Sequence, residues 1–190
     1  VWKDTVQAYD MGAVAAQWFS DFLGQPLRLV RFDPDFRRLS SLDWTGGVEA
    51  PNQFSAGFPV LVASVASIDD LNQRLAAAGQ GAVGIERFRP NVVLQGIDSH
   101  DEDRVDMFHI TTAEGVVQLQ PVKPCTRCPI PDIDPTTATS SPEVGNMLRT
   151  YRQDARVNGA ITFGMNAIVR EGADQVLRVG QTVGANYRFD

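Results

Sequence analysis

Five prolines fall within fifteen residues, "PVKPCTRCPIPDIDP" at positions 121–135. Proline fixes φ and has no backbone N–H to donate. Such a run is expected to be neither helix interior nor central strand, so the rest of the chain must be built around a rigid loop. The same run holds the only two cysteines, Cys125 and Cys128. A thioredoxin-type C-x-x-C pair sits at a helix N-terminus, and Pro131 and Pro135 argue against that helix. A zinc site needs about four ligands, and no second cysteine pair exists to complete one. Two cysteines are too few for a disulfide scaffold in 190 residues. Two readings stay level. The cysteines are small, partly buried loop residues, or one is a thiolate on a soft metal or metal cofactor, with Arg127 adding positive charge beside it.

The flanking segments are short and mostly β-like. Residues 1–9 alternate loosely, and "PLRLVRF" (26–32) is also β-like. "GAVAAQWFSDFLG" (12–24) places Val14, Trp18 and Phe22 at i, i+4 and i+8, which predicts a helix ended by Gly24. Residues 33–58 form a long irregular connection, of a length often tied to function. "PVLVAS" (59–64) predicts a buried strand and "SIDDLNQRLAAAG" (67–79) a helix with Ser67 as N-cap. A strand at Val92–Leu94 and a hairpin of 107–110 with 116–119 follow. Then come a helix capped by Ser141 with Pro142 at its first position, and β segments at 160–169 and 176–183. These elements do not alternate as βαβ units. The expected fold is α+β, mainly β: a barrel with a few peripheral helices, in one domain over 1–190. Val1 in place of methionine suggests a piece of a longer protein.

Lys and Arg number 17 against 23 Asp and Glu, a net charge of -6 that argues against nucleic-acid binding. No apolar run is long enough to span a membrane. Sparse cysteine suggests a reducing, cytoplasmic setting. "GQGAVG" (79–84) matches G-x-G-x-x-G, but a helix precedes it and Pro90 cuts off any helix after it, so it reads as a helix end. His100, in the acidic loop "HDED" (100–103), reads as solvated, and His109 as a sheet residue. In "RFRPN" (87–91), Arg89 is expected to be extended because Pro90 follows. Its guanidinium suits a phosphate or carbonyl, and Asn91 both donates and accepts. Taken alone, the motif reads as the start of a surface strand.

Three stretches in order, "NQFSAGFPVLVASVASIDDLNQRL", "RFRPNVVLQG" and "CTRCPIPDIDPTTA", resemble the MOSC family of molybdenum-cofactor proteins, in particular its amidoxime-reducing branch. The likeness runs from "DMGAVAAQWFSDFLGQPLRLVRF" to "LRVGQTV". It implies a MOSC-type β-barrel and a molybdenum atom held by the dithiolene of one pterin and by one protein cysteine. By position in C-x-R-C, the resemblance makes Cys128 the catalytic metal ligand and Cys125 its neighbour. It places Thr126 and Arg127 along the cofactor, and Arg89 and Asn91 on the pterin or its phosphate. The Ser55–Pro59 loop, with Gly57 and Phe58, would approach from another side. The implied reaction is reduction of small N-hydroxylated compounds, amidoximes or hydroxylaminopurines. Electrons would come from a separate reductase or a ferredoxin-type iron–sulfur domain. The alternative is a cofactor carrier, like the MOSC domains joined to pyridoxal-phosphate domains in cofactor sulfurases. The chain departs from the pattern in three ways. Gly57-Phe58 stand where mitochondrial relatives carry Thr-Ser. "DPTTA" has Ala138 for glycine. The N-terminal β-domain that supplies part of the reductases' cofactor pocket is expected to lie outside these residues.

Overall fold

The computed structural model describes residues 1–2 and 4–188. The chain divides into two compact units, Val1–Gly57 and Phe58–Asp190.

In the first unit, β1 (Ala8–Asp10), α1 (Ala13–Leu23) and β2 (Val30–Phe32) follow one another, with the two strands antiparallel. The strand expected over 1–9 is shorter and later than its alternation implied. Trp2 stands in a turn at φ 54, and Lys3 lies outside the described residues. The helix ends where glycine predicts, with Gly24 at φ 67. Beyond α2 (Leu42–Thr45) the segment is irregular, and one side chain organises its end. Arg38, only 8% exposed, donates Nη1 to the carbonyls of Gln53 (2.6 Å) and Ser55 (2.7 Å). Its Nη2 donates to the Ala56 carbonyl (3.1 Å) and its Nε to Asp4 Oδ2 (2.9 Å). A planar guanidinium thus takes the place of the strand ladder that these carbonyls lack.

The second unit contains β3 (Val60–Ser64), α3 (Val65–Ala77), β4 (Val92–Leu94), β5 (Val105–Thr111), β6 (Val116–Thr126), α4 (Glu143–Tyr151), β7 (Gln153–Asp154), β8 (Ala160–Glu171) and β9 (Val183–Tyr187). The sheet order is β4-β3-β8-β6-β5-β9, with β7 pairing to the start of β8. Among the described strands only β3 and β4 pair in parallel. Residues from the two edge strands, β4 and β9, line a shared cavity of about 660 Å³. The sheet is therefore a curled half-barrel, and the fold is α+β and mainly β, as expected. Adjacent residues of β3 serve opposite faces, as pleating requires. Val62 joins the cluster with Leu94, Phe108 and Leu119, while Ala63 joins Leu71, Phe88, Leu148 and Phe163 under α3 and α4.

Three local expectations are corrected. The cap of α3 is Ser64, whose Oγ accepts the Ser67 N–H at 3.1 Å, so Ser67 is the capped residue and not the cap. Of the segment 176–183, only Val183 enters a strand, and Gly180 turns the chain at φ 90. Most important, the proline-rich run does contain central strand. β6 lies between β8 and β5 and carries Pro121, Pro124 and Cys125. The pairing with β8 shifts register between Pro121 and Lys123 and again between Pro124 and Thr126. Bulges at these points release the ladder where proline has no N–H to give.

Candidate functional site

β6 delivers the cysteines unequally. Cys125 is half-buried within the strand, Cys128 is exposed, and both are free thiols. Thr126 is the last residue in register with β8, opposite Thr162. The Arg127 N–H donates to the Ile161 carbonyl at 2.9 Å, and the chain then leaves the sheet. The Arg127 side chain folds back toward Cys125, so its charge lies beside the half-buried thiol. Nη1 donates to Cys125 Sγ at 3.1 Å and Nη2 to the Phe88 carbonyl at 2.9 Å. The guanidinium carbon stands 5.3 Å from the Phe88 ring centre. Its Nε is buried without a hydrogen-bond partner among the described residues.

Phe88 ends a 3-10 turn, Ile85–Phe88, and stacks on Phe163 of β8 with centroids 3.9 Å apart. Arg89 follows at φ 57, ψ 47, left-handed and not extended. The turn imposes this, because the Arg89 N–H closes it on the Glu86 carbonyl at 3.1 Å. For a residue with a Cβ the conformation costs about 1–2 kcal/mol. Strain of this kind gathers at functional sites, and here it accompanies an exposed Arg89 side chain. Asn91 is less available than its sequence suggested. Its N–H donates to the Leu61 carbonyl (2.9 Å) and its Oδ1 accepts the Leu61 N–H (2.8 Å), so its side chain extends the ladder of β3.

The cysteine loop and the arginine turn are fastened together twice. Besides the Arg127–Phe88 bond, Arg87 Nη2 pairs with Asp134 Oδ2 at 3.1 Å, and its Nη1 lies 3.4 Å from the Pro131 carbonyl. Asp134 Oδ1 accepts the Thr136 hydroxyl (2.6 Å) and the Thr136 N–H (2.8 Å). These bonds, with the Arg87 charge, hold its carboxyl below the usual range. Ala138, which stands where the family pattern has glycine, sits at φ 57. Gly57 closes the first unit and Phe58 opens the second. Lys123 Nζ lies 6.0 Å from the Phe58 ring centre, and Lys123 is in register with Asn166, which is in register with Leu61. No motif marks Lys123 or Asn166; only the pairing register brings them together.

A cleft of about 320 Å³ opens at Cys128, with Asp132, Gly145, Arg149, Gln153 and residues 159–161 among its lining. Asp132 Oδ1 accepts the Gly145 N–H at 2.7 Å and caps α4 from thirteen residues away. The expected cap, Ser141, instead donates its N–H to the Asp132 carbonyl at 2.8 Å, and Pro142 precedes the first helical residue. Asp132 ends a 3-10 turn, Ile130–Asp132, thirteen residues before Gly145, where local cap patterns give no signal.

His100 and its acidic neighbours are not the solvated loop expected. Glu102 is fully buried, with Oε1 accepting the Ser67 hydroxyl at 2.7 Å. The same hydroxyl oxygen accepts the His100 N–H at 2.8 Å, and His100 Nε2 lies 3.3 Å from Asp70 Oδ2. Burial, and then the Arg152 charge, hold the His100 pKa below its ordinary value. His109 is in β5, as expected for a sheet residue. Among the described residues no group of three or more His, Cys, Asp or Glu is placed to hold a metal ion. What the site offers is one exposed thiol, Cys128, not a closed zinc-type set.

Fold and site together describe a curled β-sheet domain that presents a single thiol just past the end of a central strand. The MOSC domain model matches residues 49–184, and the chain belongs to that family. It is 38% identical over 151 residues to the mitochondrial amidoxime-reducing component 1 of Mus musculus, covering 77% of this chain and 42% of the relative. Against the protein of that name from Danio rerio the identity is 30% over 189 residues, covering 96% and 55%. The molybdenum cofactor sulfurase of Danio rerio is 28% identical over 192 residues, covering 95% of this chain and 22% of that protein. The chain spans about half or less of the length of these relatives.

Proposed function

We propose that the chain is the molybdenum-cofactor-binding domain of an oxidoreductase that reduces N-hydroxylated compounds such as amidoximes and hydroxylaminopurines. The observation that carries this reading is the fastening of the Cys128 loop to the Arg89 turn through Arg127 and the Phe88 carbonyl. Two motifs about forty residues apart become one surface. The residues fit the group. Cys128 is exposed and offers a soft sulfur ligand to a polarizable metal. Arg89 offers a cation for the cofactor phosphate, and the buried, unpartnered Arg127 Nε offers a donor. Lys123 adds a second cation beside Phe58. Thr126 holds the loop to β8, while Asn91 acts through β3. When bound, the cofactor supplies the two-electron chemistry, and the protein supplies binding, orientation and electrostatics. Electrons come from a separate reductase or a ferredoxin-type iron–sulfur domain. A reducing compartment such as the cytoplasm suits an unpaired Cys128.

The relatives named for amidoxime reduction support this reading. The similarity to a molybdenum cofactor sulfurase over 95% of the chain supports a second one, a cofactor carrier without reductase activity of its own. Turnover separates them. The protein is purified from a host that makes the cofactor, and benzamidoxime reduction is followed with a chemical electron donor. Turnover that disappears in Cys128→Ala supports the reductase. Bound molybdenum without turnover on either substrate class supports the carrier.

A further inference from the structure

The cleft beside Cys128 holds one carboxylate, Asp132, that cofactor binding does not use. We propose that Asp132 is a specificity-determining residue that receives the N–C–N edge of an amidine-type substrate or product. The substrate class rests on the reading above; the placement rests on the cleft.

The charged side chains of the lining are Arg127, Asp132 and Arg149. Arg127 is engaged by Cys125 Sγ and the Phe88 carbonyl. Arg149 is exposed, and its Nη1 donates to Asn146 Oδ1 at 3.0 Å. Asp132 is therefore the carboxylate of the cleft. Its direction is fixed at two points: Oδ1 accepts the Gly145 N–H and its main-chain carbonyl accepts the Ser141 N–H. Its other oxygen, Oδ2, takes no part in that cap and lies beside Gly145, where an added Cβ would stand only 2.8 Å from it. Glycine at 145 leaves room for the carboxylate in this position; a larger residue would require Asp132 to shift. A carboxylate has about four acceptor positions, and the cap uses one.

An amidine presents two N–H groups along one edge, spaced to meet a carboxylate in bidentate fashion. An amidoxime keeps its amino group and is neutral near pH 7, whereas the amidine left after N–O reduction is a cation. Asp132 thus recognises the amino group of the substrate and pairs more strongly as positive charge develops. A hydroxamic acid, with a carbonyl in place of that amino group, gains nothing from it. The cleft is at the small end of ligand pockets, with room for an aryl amidine.

The test needs no metal. The isotopically labelled chain is titrated with benzamidine, and the Gly145 amide, bonded to Asp132 Oδ1, is the reporter in a nitrogen–proton correlation spectrum. The expected result is a saturable Gly145 shift that weakens about ten- to a hundred-fold in Asp132→Asn, the range for a lost charged hydrogen bond. Asparagine can still accept from Gly145, so the cap survives. Neutral benzamide should bind the wild type at least about ten-fold more weakly. Arg149→Gln, away from the cap, removes a like charge and should tighten benzamidine a few-fold. No saturable shift at Gly145, equal affinity in Asp132→Asn, or weaker binding in Arg149→Gln overturns the proposal. Failure of the reductase reading would leave this outcome standing, and a working reductase indifferent to Asp132→Asn would sink this proposal alone.

Discussion

Replacing Arg127 with methionine removes the clasp between the cysteine loop and the arginine turn without emptying the space over Phe88. Methionine keeps an apolar stem of similar reach. The donor to the Phe88 carbonyl is lost, and Phe88 is 1% exposed, so water does not readily replace it. An orphaned buried carbonyl costs about 1–3 kcal/mol. The lost guanidinium contact over the Phe88 ring, at 5.3 Å, adds about 0.5–1 kcal/mol. Thiol sulfur is a weak acceptor, so losing the bond to Cys125 adds little. Removing the buried, unpartnered Nε returns about 1 kcal/mol. The net is a destabilisation of about 0.5–3 kcal/mol. Urea unfolding followed by far-UV circular dichroism is the assay. With an m-value of about 2 kcal/mol/M, the midpoint should fall by about 0.25–1.5 M at unchanged m. Arg127→Lys keeps one donor and should recover about half of the loss. A midpoint for Arg127→Met within about 0.2 M of wild type would refute the idea that these bonds hold the loop.

Gly164→Ala should destabilise by about 2–5 kcal/mol in the same assay, because φ is 72 and the new Cβ would stand 2.6 Å from the Val62 carbonyl oxygen; a loss below about 1 kcal/mol would show that β8 can move off β3. Ala138→Gly relieves a left-handed alanine at φ 57 and should raise stability by about 0.5–1 kcal/mol; a lower midpoint would contradict this. His100 is held below its ordinary pKa of 6.5 by burial and Arg152, against the opposing pull of Asp70, Glu102 and Asp103. Above about pH 6.5 both folded and unfolded chains carry it neutral; as pH falls the unfolded chain takes up the proton first, so stability drops. His100→Asn, which tolerates the left-handed φ of 63 at this position, should flatten that drop between pH 6.5 and 5. An unchanged pH profile would remove His100 as its cause.

Much of the frame was legible because it depends on short-range chemistry. Gly24 ends α1 and Val92–Leu94 is strand, as glycine chemistry and apolar patterning predict. Wherever a distant partner decides the local structure, sequence rules went astray. Pro121 and Pro124 occupy a central strand because the pairing with β8 bulges at both. Glu102 is buried because Ser67, thirty-five residues away in sequence, satisfies one of its oxygens. Ser141 looked like a cap because it stands next to the helix, yet Asp132 does that work from the end of a 3-10 turn thirteen residues before Gly145. At the site, the difference between the two thiols was expected only from family resemblance. Its structural form is that β6 ends at Thr126, between them. The backbone of Arg89 is left-handed and not extended, since the turn's own hydrogen bond overrides the preference of a residue before proline.

Elemental analysis for molybdenum tests the central claim most directly. Wild type, Cys125→Ala and Cys128→Ala are purified in parallel from a host that makes the cofactor, and metal is measured per protein chain. The proposal predicts similar molybdenum in wild type and Cys125→Ala, and its loss in Cys128→Ala with an unchanged unfolding midpoint, as expected for an exposed residue. Equal molybdenum in Cys128→Ala and wild type, or loss in Cys125→Ala alone, would contradict it.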